Sequence, residues 1–159
     1  MAIAIRPATK ADVAIIFGLI RELAEYEKLS HEVAATEEMI AHGLFGPRAY
    51  AECLIAEIDD EPAGFALFFY NFSTFAGKPG LYLEDLFVKP EYRNRGLGMQ
   101  FFRELGKIAR DRDCGRMEWS VLDWNEPALA FYQKLGARSM SDWTVQRLAR
   151  PEIEKLAKS

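Results

Sequence analysis

The sequence predicts one mixed α/β domain with the element order βααβββαβαβ. Three observations carry this reading. Apolar residues recur with a period of two in some segments and at helical spacing in others. A tight polar turn, Asp59-Asp60-Glu61-Pro62, separates two strand-like runs, and a third strand leads through a glycine-bearing turn into an amphipathic helix. The 159 residues approach the usual size of one domain, 1–159, and suffice to bury a core without staples. Half of the residues are hydrophobic and 28% are charged, which excludes disordered and fibrous classes.

Ala2 to Arg6 alternates and meets Pro7, as a short strand ending in a turn does. Thr9 is a candidate N-cap with Asp12 three residues on, and Val13, Ile16, Phe17, Ile20, Leu23 and Ala24 form one helical stripe towards Tyr26. Thr36 caps a second, short helix that Gly43 is expected to close. Ala51 to Ile58 and Ala63 to Tyr70 read as an antiparallel hairpin, and Leu81 to Val88 as a long strand with two acids in its middle. A helix follows from Gly98 to Asp113, with Phe101, Phe102, Leu105, Ile108 and Ala109 inward. Met117 to Leu122 is a strand, and Asn125 to Pro127 opens a helix that stops at Gly136. Trp143 to Leu148 reads as a last strand and Pro151 to Lys158 as a short polar helix or frayed tail. In that order the one parallel strand contact runs across the helix Gly98 to Asp113.

Net charge of −4 removes the general attraction to phosphate backbones, so no nucleic-acid partner is expected and a cationic partner suits better. Cys53 and Cys114 belong to no ligand pattern and read as reduced structural thiols, with no metal expected. The N-terminus lacks a signal-peptide core and no apolar window reaches membrane length. A cytoplasmic protein without a membrane partner is therefore expected. His31 and His42 lack ligand partners and receive no role.

The informative segment is Val88-Lys89-Pro90-Glu91-Tyr92-Arg93-Asn94-Arg95-Gly96-Leu97-Gly98, between a strand and a helix. The first helical turn has backbone donors without intrahelical acceptors and the positive end of the helix dipole, so it can hold a phosphate. Gly96 and Gly98 permit close approach, while Arg93 and Arg95 could add charge-assisted contacts. The spacing is neither the P-loop nor the dinucleotide fingerprint, which removes the main support for triphosphatase and dehydrogenase readings.

At these residues the chain resembles the GNAT superfamily of N-acetyltransferases. Their pyrophosphate signature is Gln or Arg, two residues, Gly, one residue, then Gly or Ala, after a strand ending Val-x-Pro. Arg93 to Gly98 fits it. The chain is similar to the diamine (spermidine/spermine) and thialysine branch in Ile5 to Thr9, Leu23 to Glu27, Leu81 to Val88, Tyr92-Arg93, Trp124 to Pro127, Phe131-Tyr132 and Leu135 to Ala137. The resemblance implies a mostly antiparallel, twisted sheet of about six to seven strands with about four helices on its faces. It also implies acetyl-coenzyme A as cosubstrate, held by the backbone of Leu86, Phe87 and Val88, by Arg93, Asn94, Arg95, Gly96, Leu97, Gly98 and Met99, and by Asn125 and Tyr132. Met99 departs from the small polar residue that many relatives carry there, which removes a hydroxyl but not a backbone donor.

An amine nucleophile must be neutral, and holding an alkylammonium neutral near physiological pH costs about 4 kcal/mol. Glu84 and Asp85 occupy adjacent strand positions, so alternation is expected to send them to opposite faces. The resemblance places Glu84 towards the substrate, relaying its proton through water, with Tyr26 and Glu27 completing an acidic pocket; Asp85 is the lesser candidate. A departing thiolate needs a proton or a hydrogen bond, and the Tyr132 phenol is the candidate acid. The expected reaction is direct transfer of an acetyl group to a primary amine of a small cationic substrate, a diamine, polyamine or thialysine-like amino acid. Two alternatives stay open: an acetyltransferase acting on protein lysine or N-terminal amines, and an acetyl-coenzyme A binding module without catalysis. Apolar residues in Phe65 to Tyr70 and Trp143 to Leu148 are candidate subunit contacts, and the resemblance implies a homodimer.

Overall fold

Five strands and five helices follow one another as β1 (Ile3–Pro7), α1 (Val13–Tyr26), α2 (Glu37–Phe45), β2 (Glu52–Ile58), β3 (Glu61–Ser73), β4 (Lys78–Val88), α3 (Leu97–Asp111), β5 (Arg116–Trp119), α4 (Glu126–Lys134) and α5 (Arg150–Lys158). This computed structural model describes all residues, 1–159. The chain divides into two units, Met1–Ser120 and Val121–Ser159.

The first unit holds the whole sheet, in the order β1-β2-β3-β4-β5. All neighbouring pairs are antiparallel except β4 and β5, which α3 joins as a parallel crossover, as the element order requires. The register assigns each face, because directly opposed residues project to the same side. Ile16, Leu19 and Leu23 of α1 and Leu44 of α2 pack with Cys53, Ile55, Phe65 and Phe87 on one face. Phe102 of α3 lies 5.0 Å from Trp119, which is paired with Leu83, so α3 covers the other face. Leu97, Phe101, Phe102, Leu105 and Ala109 form the buried stripe of α3.

Thr9 and Asp12 do cap the entry to α1, through a short 3-10 turn at Lys10–Asp12 that the helical stripe does not reveal. The Asp12 carboxylate accepts from the Thr9 amide at 2.7 Å and from both terminal nitrogens of Arg6 at 2.8 and 2.9 Å. Arg6 also donates from Nε to Glu57 at 2.7 Å, which ties β1 to β2 and to the start of α1. The Arg6 hydrogen bonds hold the buried Asp12 carboxyl down at about 2. No helix is long and apolar enough to cross a membrane.

The sheet has five strands, fewer than the six to seven expected. Trp143 to Leu148 lies outside any helix or strand, with Trp143, Val145 and Leu148 exposed. The second unit contains α4 and α5 and no strand, so this alternating segment has no ladder within it to complete. The tail is helix α5, giving five helices. Glycine 43 does not end α2, which runs to Phe45 with Gly46 as its cap. In the 65–70 run, Phe65 and Phe68 are core residues, 0% and 1% exposed, and so are spent inside the unit.

Candidate active site

The site is built on an irregularity in β4. Leu67 pairs with Asp85 and Phe68 with Leu83, so two residues of β4 oppose one step of β3 and Glu84 is left without a partner. Such a bulge interrupts the alternation of side chains. Upstream, Leu83 shares the α3 face with Phe68; downstream, Asp85 and Phe87 share the α1 face with Leu67 and Phe65. Glu84 follows Tyr82, whose partner Phe69 is also on the α1 side. The expectation that Glu84 and Asp85 diverge to opposite faces is therefore corrected: both acids lie on the face that α1 covers.

The electrostatics follow from this placement. The Asp85 carboxyl is pushed up to about 6, first by burial and then by the negative charges of Glu84 and Glu27. Glu27, the C-cap residue of α1, is partly buried and raised for the same first reason. Glu84 is exposed. The structure thus gathers Glu27 and Glu84 as the sequence suggested, and adds Asp85. The signal for it lies in the pairing of β4 with β3 and not in β4 alone.

Beside the acids the sheet opens. Parallel pairing of β4 with β5 ends at Leu83 and Trp119, so no strand covers that edge of β4 along Glu84, Asp85, Leu86, Phe87 and Val88. An uncovered strand edge presents a row of N–H and C=O groups to an extended ligand. A short 3-10 turn at Pro90–Tyr92 then carries the chain to α3. Asn94 and Gly96 both adopt left-handed backbone, with φ of 63° and 81°, and Gly96 is the N-cap of α3. Gln100 is the first to donate within the helix, to Gly96 O at 3.0 Å, so the amides of Leu97, Gly98 and Met99 precede the ladder.

The two arginines have partners within the protein. Arg93 donates from Nε to Val88 O at 3.0 Å, and its guanidinium lies 4.6 Å from the Tyr26 ring centre and 5.8 Å from that of Phe87. It braces the loop against the end of β4 and of α1. Arg95 is exposed and stacks 5.5 Å over Tyr92. Among the groups expected to hold an anion, the backbone of 94–99 is the built feature.

In the second unit, Asn125 is the N-cap of α4, accepting at Oδ1 from the Ala128 amide at 3.4 Å. Tyr132 is partly buried on α4, its ring 5.8 Å from Phe131.

Comparison with known proteins decides the family. Residues 18–137 match the model of the acetyltransferase (GNAT) family. The chain belongs to the GNAT family. It is an N-acetyltransferase. The thialysine N-epsilon-acetyltransferase of Sus scrofa is 39% identical over 96% of both chains. The L-ornithine N5-acetyltransferase of Arabidopsis thaliana is 30% identical over 97% of this chain and 87% of its own length. Among solved structures, an integron cassette protein of V. cholerae superposes with a TM-score of 0.83 at 28% identity, covering 100% of this chain and 99% of its own. The matched span includes the loop before α3, where the amides of Leu97, Gly98 and Met99 precede the helical ladder.

Proposed function

We propose that the protein transfers the acetyl group of acetyl-coenzyme A to a primary amine of a small cationic substrate, of the diamine, polyamine or thialysine class. The observation that carries this reading is the bulge at Glu84, which sets two carboxylates on the part of β4 that β5 leaves unpaired. The residues present fit the cosubstrate. An extended pantetheine chain suits the open edge along Leu86, Phe87 and Val88, and the amides of Asn94, Arg95, Gly96, Leu97, Gly98 and Met99 suit its pyrophosphate, while the Arg93 amide already donates to Pro90 O at 3.3 Å. Bound there, acetyl-coenzyme A supplies an activated thioester.

Glu84 accepts the proton of the substrate ammonium, directly or through water, and Glu27 and Asp85 add negative charge that favours a cation's arrival. Tyr26 contributes to the wall of that pocket. Tyr132 is the proton donor to the departing thiolate, and Asn125 joins the cosubstrate site at the start of α4. The named activities of the thialysine and ornithine relatives support an amine bearing a second polar centre. Exposed Trp143, Val145 and Leu148 support a homodimer contact, and the free Cys53 and Cys114 suit a reducing cytoplasm.

The test is free-thiol release from acetyl-coenzyme A on adding a mixed panel of diamines, polyamines and basic amino acids, with acetylated products read by mass spectrometry. Thiol release with at least one small amine is expected, and Tyr132→Phe is expected to lower kcat about a hundredfold with little change in cosubstrate affinity. Binding of acetyl-coenzyme A without release by any amine would overturn the reading in favour of a binding module; release with peptides alone would move it to a protein acetyltransferase.

A further inference from the structure

The face that carries Glu84 and Asp85 also carries an aromatic pair that the proposed reaction does not use. Phe69 of β3 and Tyr82 of β4 are directly opposed, their ring centres 5.1 Å apart and tilted by 34°. Both are partly buried. Tyr82 lies two residues before Glu84, about 6.6 Å along the strand, which is within the span of a short alkyl diamine. Its hydroxyl is fixed: Tyr82 Oη and Ser120 Oγ are 3.0 Å apart, so the end of β5 holds the ring in one orientation. The nearby Tyr26 differs, because the Arg93 guanidinium already occupies a face of its ring at 4.6 Å.

We propose that Phe69 and Tyr82 are specificity-determining residues, an aromatic wall over which the methylene chain and second ammonium of a dicationic amine lie while the reacting amine meets Glu84. This rests on the acetyl-transfer reading above and deepens it. An aromatic face attracts a cation through its quadrupole and covers methylene groups at the same time, and a ring already fixed by a hydrogen bond loses little freedom when a ligand arrives. The neighbouring carboxylates attract any cation; the wall distinguishes a long cation with charge at both ends from one charged at a single end.

The experiment compares a straight-chain diamine with the monoamine of equal carbon number. The ratio of their kcat/KM values is measured for the wild type, Tyr82→Leu, Phe69→Leu and Tyr82→Phe, each checked for native circular dichroism. The diamine preference is expected to fall about tenfold in Tyr82→Leu, the size of a cation held over a ring in a partly dehydrated site, and by less in Phe69→Leu. Tyr82→Phe keeps the ring and should keep the preference. Calorimetric titration of each protein with the diamine supplies a reading independent of turnover: tighter binding by wild type than by Tyr82→Leu supports the wall even if no amine is acetylated. An unchanged ratio together with equal diamine affinity in both leucine variants would overturn the proposal.

Discussion

The two halves of β4 are one strand with two environments. From Gly80 to Leu83 it is paired on both sides, and Leu81 and Leu83 are 0% and 2% exposed beneath α3. From Glu84 to Val88 it is bulged, paired on one side, and carries two acids on the α1 face. The regular half buries apolar area and has a ladder on each side for its backbone, and so contributes stability. The irregular half leaves an edge and charges exposed, which costs stability and supplies a place for a ligand. A rigid half-strand next to an open one also fixes where the open one points, as a site for positioned chemistry requires.

That division can be broken most sharply at Glu84. Glu84→Gln should lower kcat/KM for the amine a hundredfold or more while acetyl-coenzyme A affinity and thermal stability stay close to wild type, measured by thiol release and calorimetry. Leu81→Ala is the reciprocal change: it should cost about 3 kcal/mol in urea unfolding, from lost burial and a cavity under α3, with activity per folded molecule retained. A Glu84 variant that unfolds like Leu81→Ala would erase the distinction between the halves.

A smaller effect is expected from Asp85. Its folded carboxyl is pushed up to about 6 from an ordinary 3.8, so the folded protein binds more protons than the unfolded chain between these values. Stability from this group is therefore present at low pH and lost as pH rises through about 6. Asp85→Asn should be more stable than wild type at neutral pH by about 2 kcal/mol, the full linkage of about 3 kcal/mol reduced by the carboxyl's partial solvent access, with the difference vanishing below about pH 4 in denaturant titrations across pH. The smallest change tests the loop. With φ of 81° at Gly96, Gly96→Ala should cost about 1 kcal/mol of stability and weaken acetyl-coenzyme A binding several-fold, read by thermal shift with and without ligand.

Much of this was legible in the sequence because it rests on local patterns. The α3 stripe, the hairpin turn and the glycine-bearing loop each declare themselves within a dozen residues. Asp85 was not legible, because a bulge is a relation between two strands and alternation read along one strand assigns it to the wrong face. The bracing by Arg93 was not legible for a related reason: its partners, Val88 O and the Tyr26 ring, come from other elements. Trp143 to Leu148 has the pattern of a strand, but pattern alone does not supply a ladder.

The unpaired residue at Glu84 is one more than the ladder needs. Leu83 faces α3 and Phe87 faces α1, and both are odd-numbered, so a strictly alternating strand would put them on one side. A chain one residue shorter here would pair Leu83 with Phe68 and Asp85 with Leu67 in unbroken register and keep both anchors on their own faces. The extra residue therefore serves the site and not the sheet: deleting Glu84 would regularise the strand and remove the acid.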